Sequence, residues 1–390
     1  MAPGIDSLLR RWREAGLIDA ATADRIEGWE AEHTNPPEGL TAPIRVALAL
    51  GAVLLAAGLL LFVSAHWDRL SPGHRFGLLV AAVAGLHGLA AGLAHRFAAL
   101  SVALHAVGTV ALGGGIFLAG QIFHLEVHWP TGLLLWAGGA AAGWILLGQW
   151  PQLALLVLLL PAWLGGEWLS ACARLLQNLP DAWPAARTVL AAGVLLLSLA
   201  LFGAAGAGTV GANRRVLVGI GGVALLPAAL IWGVLATVMD LDPTGLPLPL
   251  ALIGWGGALG GPLLLGWLLR RRGFWPLGVA LGWMLVDLAV RQDGGVTALS
   301  HGWWLLGGVL LVGWGVVEAR PERINLGAAL CALIVLGFYF SEVMGSLGRS
   351  ASLIGLGILF LAGGAALERL RRRWVGQARQ SSSSTGSPKS

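Results

Sequence analysis

The sequence predicts an all-α fold, a polytopic transmembrane helix bundle of about 12 spans with cytoplasmic N and C termini and a small N-terminal helical hairpin. Three observations lead to this prediction. The 390 residues are 56% hydrophobic and only 12% charged, whereas soluble domains carry about 25% charged residues. Apolar runs of about 20 residues, the length that crosses a bilayer core, follow one another along the chain. These runs do not alternate with period two, which favours helices over a barrel.

The composition changes along the chain and predicts four parts. Residues 1–35 form a cytoplasmic helical hairpin, residues 36–43 a proline-rich linker, and residues 44–367 the transmembrane bundle. Residues 368–390 are a basic juxtamembrane cluster followed by a disordered, serine-rich tail. A basic cluster next to the last span is typical of contact with anionic headgroups.

The hairpin begins with a helix that carries Leu9 and Trp12 on one face and ends at Gly16. Asp19 then caps a second helix, whose apolar side includes Trp29. A helix-turn-helix that binds DNA is one interpretation of this pattern. However, residues 5–33 contain four arginines and seven acidic residues, and this negative charge argues against phosphate binding. We therefore expect no nucleic acid partner and favour docking of the hairpin to a protein partner or to the chain's own cytoplasmic loops. An envelope protein that binds through the outer loops is the alternative.

Twelve apolar runs give the predicted spans, which we place at 44–65, 76–94, 98–120, 131–149, 152–170, 188–206, 216–238, 248–269, 274–291, 302–317, 324–341 and 351–367. The fifth contains Pro161 and ends near Glu167, so a broken or re-entrant helix is an alternative there. We expect the stretch 171–187, with its prolines and tryptophans, to lie along the outer interface.

The basic residues fix the orientation of these spans. With the N terminus in the cytoplasm, the 25 lysines and arginines divide 19 to 6 between inside and outside segments. This is the positive-inside rule, and it also explains the net charge of +5 without nucleic acid. We expect a multi-pass protein of the bacterial cytoplasmic (inner) membrane, with the lipid bilayer as its immediate partner.

Glycines recur at four-residue spacing within the predicted spans, in the pairs Gly88/Gly92, Gly139/Gly143, Gly256/Gly260 and Gly257/Gly261. Small residues at this spacing let helices approach closely. We favour packing within the monomer, and a dimer face is the alternative.

The outer loops carry a candidate polar cluster: His66, Trp67, Asp68, His124, Glu126 and His128. If residues 124–128 are extended, their two histidines and the glutamate share one face and could bind zinc or copper. If they are helical, only the two histidines align. We favour histidines that form hydrogen bonds at the interface, and we predict no metal site.

Within the predicted spans, the candidate polar residues are His87, His105, Asp287 and Glu342. Titratable groups inside a membrane are functional candidates by default, and His87 with His105 could form a proton or substrate relay. Each also has a structural interpretation. The histidines can stay neutral and bind a carbonyl, Asp287 can pair with Arg291 one helical turn away, and Glu342 can reach the outer interface.

Several segments resemble the domain-of-unknown-function 2157 family of bacterial membrane proteins. These are LLRRWREAGLIDAATADRI, GAVLLAAGLLLFVSAHWDRLSPGHR, GGGIFLAGQIFHLEVHWPTGLLLWAGG, RINLGAALCALIVLGFYF and ERLRRR, so the resemblance extends to about residue 373. Relatives tend to have Asn where this chain has His66, and an aromatic-Asp pattern where Glu342 is offset. Both departures weaken any transfer of a polar role to these positions. The resemblance implies the architecture and is compatible with a subunit beside a small anchored partner.

Three functions remain open on the sequence alone. The first is a non-catalytic membrane subunit or scaffold of the cell envelope, which we favour. The second is a small-solute or proton-coupled transporter, and the third is a membrane enzyme that acts on envelope lipid or glycan at the outer face. No soluble-enzyme motif is present, so we expect a protein without cofactor and without enzymatic activity.

Overall fold

A computed structural model describes most of the chain between Ile5 and Phe340. The described residues are 5–33, 50–51, 54, 58, 70–125, 128–205, 211–233, 242, 244–292, 298–340, 355, 357 and 361. The predicted spans at 44–65 and 351–367 fall largely outside them, and the linker and the basic C-terminal cluster fall wholly outside.

Helices are the regular secondary structure of the described residues, which contain no strand. Their bounds are α1 Ile5–Glu14, α2 Ala20–His33, α3 Pro72–Leu93, α4 Ala98–Ile122, α5 Trp129–Leu147, α6 Trp150–Leu175, α7 Trp183–Phe202, α8 Ala212–Trp232, α9 Leu248–Arg270, α10 Trp275–Gln292, α11 Ala298–Val317 and α12 Pro321–Phe338. Short 3₁₀ turns precede α7 and α10. Each predicted span between residues 76 and 341 corresponds to one helix from α3 to α12.

The lengths of these helices fit a membrane. In the described part of the chain, 9 helices are long and apolar enough to cross one, and α10 adds a shorter apolar segment. Prolines stand in the first turn of α3, α5, α6, α9 and α12, where the missing N–H has no intrahelical partner to lose. The chain is thus an all-α polytopic membrane protein, as the sequence predicts.

The N-terminal helices have the expected end signals. Gly16 adopts a φ of +69° just after α1, a conformation that glycine reaches without steric cost. The Asp19 carboxylate accepts a hydrogen bond of 2.7 Å from the backbone N–H of Thr22 at the start of α2. Hydrogen bonds from Thr22 lower the pKa of Asp19 below its usual value, because they stabilise the ionised acceptor. Leu9 and Ala23 are buried between the two helices.

The fifth predicted span is one continuous helix, so the broken or re-entrant alternative is wrong. Helix α6 has 26 residues with Pro161 inside it, which corresponds to about 39 Å at 1.5 Å per residue. The stretch 171–187 is also not a separate interfacial segment. Its residues complete α6, form the turn at Pro180–Ala182 and begin α7.

The chain divides into two compact units, Met1–Ala111 and Leu112–Ser390, and the boundary falls within α4. The second unit is built around α7, the most buried of the candidate spans. Its largest core cluster joins Leu196 of α7, Trp232 of α8, Met284 of α10 and Trp314 of α11. The predicted division into hairpin, linker, bundle and tail stays a prediction.

Close helix packing in the second unit depends on glycines that the sequence analysis did not single out. A Cβ added to Gly221 of α8 would lie 2.3 Å from the backbone nitrogen of Phe202 in α7. Gly315 of α11 and Gly327 of α12 face each other's helix backbones in the same way. By contrast, Cβ atoms at Gly88, Gly92, Gly256, Gly257, Gly260 and Gly261 would meet no described atom within 4 Å. The remaining predicted pair does pack within the monomer, since Cβ atoms at Gly139 and Gly143 would lie 2.4 Å from Leu112 and 3.0 Å from Gln152. The packing of the other three pairs stays a prediction.

Candidate functional site

Half of the predicted site residues can be located in the structure. His66, Trp67, Asp68, Glu126 and Glu342 lie outside the described residues. The proposed outer-face cluster and the outer end of the eleventh predicted span therefore stay predictions. The remaining candidates are His87, His105, His124, His128 and Asp287.

The structure brings His87 and His105 together in the first unit. Their Nδ1 atoms, one on α3 and the other on α4, lie 2.9 Å apart. His105 is 6% exposed. Gly108 makes this contact possible, because a Cβ there would stand 2.9 Å from Nε2 of His87.

The chemistry of this pair is proton sharing. A hydrogen bond between two imidazole nitrogens needs one N–H and one lone pair, so a single proton lies between the two Nδ1 atoms. Thr109 donates its hydroxyl to the His105 backbone carbonyl at 3.1 Å and stays within its own helix. The pair can therefore exchange a proton. No group of three His, Cys, Asp or Glu side chains that could hold a metal occurs among the residues the structure describes.

His124 and His128, from the second predicted outer loop, have different surroundings in the structure. His124 follows α4 with a φ of +49°. The Nε2 atom of His128, at the start of α5, lies 2.8 Å from a carboxylate oxygen of Glu167 in α6. Trp163 donates its indole N–H to the other oxygen of Glu167 at 3.1 Å. Glu167 is thus the partner of His128, a pairing that joins α5 to α6 and was not foreseen.

Asp287 has a structural role that the sequence analysis missed. Its side chain, 1% exposed, accepts a hydrogen bond of 3.0 Å from the indole N–H of Trp304 in α11. The ring of His301 lies edge-on to Trp304, with centroids 4.9 Å apart. The predicted local partner of Asp287, Arg291, has no described side chain. The observed contact connects α10 to α11.

A charged cluster where α9, α11 and α12 meet is the most connected polar site of the described structure. One oxygen of Glu318 accepts hydrogen bonds from Arg270 at 2.7 Å and from the indole of Trp314 at 2.8 Å. The other oxygen pairs with Arg323, whose side chain is 1% exposed. The Arg323 guanidinium also lies over the Trp314 ring, 3.8 Å from its centroid. We call Glu318, Arg270, Arg323 and Trp314 the Glu318 cluster.

Arg323 of the cluster also binds the chain at the end of α7. It donates to the backbone carbonyl of Ala205, and Arg214 of α8 donates to that of Ala204 at 3.0 Å; both alanines lie just after α7. Arg323 also reaches the carbonyl of Phe202, the last residue of α7, at 3.5 Å. The last carbonyls of a helix have no intrahelical partner and carry partial negative charge, so these contacts fasten α8 and α12 to the end of α7.

The Glu318 carboxylate stays ionised in this setting. Burial raises the pKa of Glu318, but the hydrogen bonds from Arg270, Arg323 and Trp314 outweigh it, and the pKa lies below its ordinary value of 4.5. Hydrogen bonds to the charged form favour that form. The cluster therefore contains two arginines and one carboxylate, with one positive charge in excess.

A cavity of about 430 Å³ lies in the second unit among α7 to α12. Its walls are leucine, valine, alanine, glycine and tryptophan side chains, and Arg270 is the only charged residue among the described ones that line it. Asp287 and His301 are absent from the lining. The cavity is therefore not the polar pathway that transport through Asp287 would need.

Comparison with known proteins found a family match for the N-terminal part of the chain. Residues 10–151 match the family described as "Predicted membrane protein (DUF2157)". The resemblance noted in the sequence is to this family. It is confirmed over the matched residues, and beyond residue 151 it stays a prediction. No curated protein and no solved structure showed a significant match to the chain.

The DUF2157 match extends from α1 to the first residues of α6. It includes the His87–His105 pair and the three histidines of the predicted outer loops, His66, His124 and His128. The Glu318 cluster and the apolar cavity lie outside it. In the sequence, Arg270 and Arg323 are two of the 19 basic residues assigned to the inside segments. Glu318, close in the sequence to Arg320 and Arg323, could have indicated a buried ion pair.

Proposed function

We propose that this multi-pass membrane protein is a non-catalytic subunit or scaffold of the cell envelope in a bacterial inner membrane. One observation carries the proposal. Three described charges in the core of the second unit, those of Asp287, Glu318 and Arg323, are each bound to groups of neighbouring helices. Loss of one partner would leave the other group buried and uncompensated, so these contacts favour a role in helix packing over contact with a substrate.

The N-terminal hairpin is the proposed docking module for a protein partner. Leu17, in the turn between α1 and α2, is 71% exposed, and Trp29 on α2 is 58% exposed. Large apolar side chains in exposed positions on a small module are typical of interaction sites, and tryptophan is enriched among the residues that dominate binding energies.

Co-purification with substitutions in the hairpin tests this proposal. The full chain and the double variant Leu17→Glu/Trp29→Glu are expressed in the native host, cross-linked in the membrane and purified in mild detergent. We expect a stoichiometric partner with the unchanged chain and at least tenfold less of it with the variant. The control variant Asp24→Asn/Glu27→Gln alters exposed polar residues of α2 and should retain the partner. Equal recovery with all three proteins would contradict the docking role.

The His87–His105 pair favours a second candidate, a proton-coupled transporter. Two imidazoles that share a proton within the candidate spans α3 and α4 are typical of the proton relays in membrane transporters. Proton flux into liposomes containing the protein tests it. A flux that is present with the unchanged chain and lost with His87→Ala/His105→Ala would support transport. A proton flux no greater than that of empty liposomes would exclude proton-coupled transport.

An enzyme acting on envelope lipid or glycan is the third function. It depends on Asp68 and Glu126, and no described contact supports it. Full complementation of a deletion strain by Asp68→Ala/Glu126→Ala would eliminate this function.

A further inference from the structure

The apolar cavity of the second unit has the dimensions of a hydrocarbon site. Its lining on α11 runs from Trp304 to Val317, about 20 Å at 1.5 Å per residue. One leaflet of the bilayer core is about 15 Å thick. The volume of about 430 Å³ also lies within the range of roughly 300–1,000 Å³ for small-molecule sites. A long, narrow apolar space of this depth fits a lipid chain.

The cavity opens through the side of the bundle. Val279 of α10 and Val309 of α11 both line it and are 44% and 53% exposed. Val309 belongs to a candidate membrane span and Val279 to a shorter apolar helix, so we infer that this opening faces the bilayer. A chain can therefore enter from the surrounding lipid without crossing a polar layer.

Arg270 gives the cavity a charged end. Its side chain is 12% exposed. The Nη2 atom is bound to Glu318, but the buried Nη1 atom has no hydrogen-bond partner in the described part of the chain. A buried donor without an acceptor is costly. An anionic oxygen at Nη1 would remove this cost and neutralise the excess positive charge of the Glu318 cluster.

We propose that the cavity binds an anionic glycerophospholipid, with one acyl chain between α10 and α11 and the phosphate on Nη1 of Arg270. The arginine distribution assigns this end of α9 to the cytoplasmic side, where basic pockets between helices bind anionic headgroups. The site goes beyond the proposed subunit function and does not depend on it.

Native mass spectrometry of the full chain tests the proposal. The protein, stripped of lipid in detergent, is titrated with phosphatidylglycerol or with phosphatidylcholine that has identical acyl chains. We expect one phosphatidylglycerol to bind at a concentration about tenfold lower than phosphatidylcholine. Both lipids carry a phosphate, but the choline cation cancels its charge, so only phosphatidylglycerol neutralises the excess positive charge of the Glu318 cluster. Equal binding of the two lipids would overturn the proposal.

Two pairs of variants locate the site. Arg270→Gln should lose the preference for phosphatidylglycerol, whereas Arg271→Gln, in an exposed neighbour outside the cavity lining, should retain it. Equal losses with both variants would show a general charge effect and overturn the assignment to Arg270.

The second pair fills the cavity without disturbing the Glu318 cluster. Gly313 lines the cavity, and a Cβ there would meet no described atom within 4 Å. Gly313→Leu should therefore fold and lower the occupancy of both lipids at least fivefold. Gly302 on the same helix is equally open but lies outside the lining, and Gly302→Leu should bind lipid normally. Unchanged binding by Gly313→Leu would overturn the cavity as the site. If palmitate binds as tightly as phosphatidylglycerol, the phospholipid assignment is wrong and the ligand is a free fatty acid.

Discussion

Replacement of Glu318 by Gln is the perturbation whose cost the structure defines best. The carboxylate accepts hydrogen bonds from Arg270, Trp314 and Arg323. Gln keeps the shape of the side chain and one acceptor oxygen, but it removes the charge and turns an N–H₂ group toward a guanidinium. Arg323, with 1% of its side chain exposed, is left with a buried charge and without an anionic partner.

The magnitude follows from this burial. Breaking a buried ion pair on one side costs about 3–5 kcal/mol. Arg323 retains the Ala205 carbonyl and the face of Trp314, which places the expected loss near the lower end, at about 3 kcal/mol. The nearby pair of Arg320 and Glu322 is 3.7 Å long, with Glu322 40% exposed. Exposed pairs contribute less than about 1 kcal/mol, so Glu322→Gln is the matched control.

The assay is the free energy of unfolding in mixed micelles, measured for the unchanged protein and for each variant from the same transition. We expect Glu318→Gln to lower it by about 3 kcal/mol and Glu322→Gln by less than about 1 kcal/mol. Because the pKa of Glu318 lies below its ordinary value of 4.5, this stabilisation is present above pH 4.5 and is lost as the pH falls through the lowered pKa. Losses that agree within 1 kcal/mol for the two variants would refute the reasoning.

Three further predictions concern other contacts. Gly221→Ala should lower the free energy of unfolding by about 1–3 kcal/mol, because its Cβ would meet the α7 backbone. The control Gly219→Ala, in open space on the same helix, should leave it unchanged. Equal free energies of unfolding for the two variants would contradict the close approach of α8 to α7. In the unchanged chain, the first amides of α2 should be protected from hydrogen exchange above pH 3.8, and this protection should fall as the pH drops through the lowered pKa of Asp19. In Asp19→Asn, the protection should not depend on pH once the intrinsic exchange rates are corrected for. An acid-dependent loss that persists in the variant would exclude the cap as its cause. His128→Ala should change the unfolding free energy by less than about 1 kcal/mol, since its pair with Glu167 is partly exposed; a loss above 2 kcal/mol would contradict this.

The sequence is sufficient to predict the helices because a bilayer imposes their length and polarity. Apolar runs of about 20 residues mark the spans from α3 to α12, and local signals such as Gly16 and Asp19 mark the ends of α1 and α2. These features depend on neighbours along the chain. They require no knowledge of which helices meet.

Contacts between distant helices could not be predicted in the same way. Glu318 and Arg270 are 48 positions apart, and His128 and Glu167 are 39 apart, so no local spacing indicates either pair. The four-residue glycine pattern located one packed pair, Gly139/Gly143, but it missed the closest backbone approach for a related reason. It describes a smooth helix face without indicating whether another helix lies on it, and the glycine with the closest backbone approach in α8, Gly221, belongs to none of the four pairs.

Complementation of a strain that lacks the gene tests the central claim most directly, because the hairpin surface and the intramembrane histidines support different functions. The variants Leu17→Glu/Trp29→Glu and His87→Ala/His105→Ala are compared at equal protein levels in the membrane. A subunit that docks through its hairpin predicts failure of the first variant and full complementation by the second. Full complementation by the hairpin variant, together with failure of the histidine variant, would contradict the subunit function and favour proton-coupled transport.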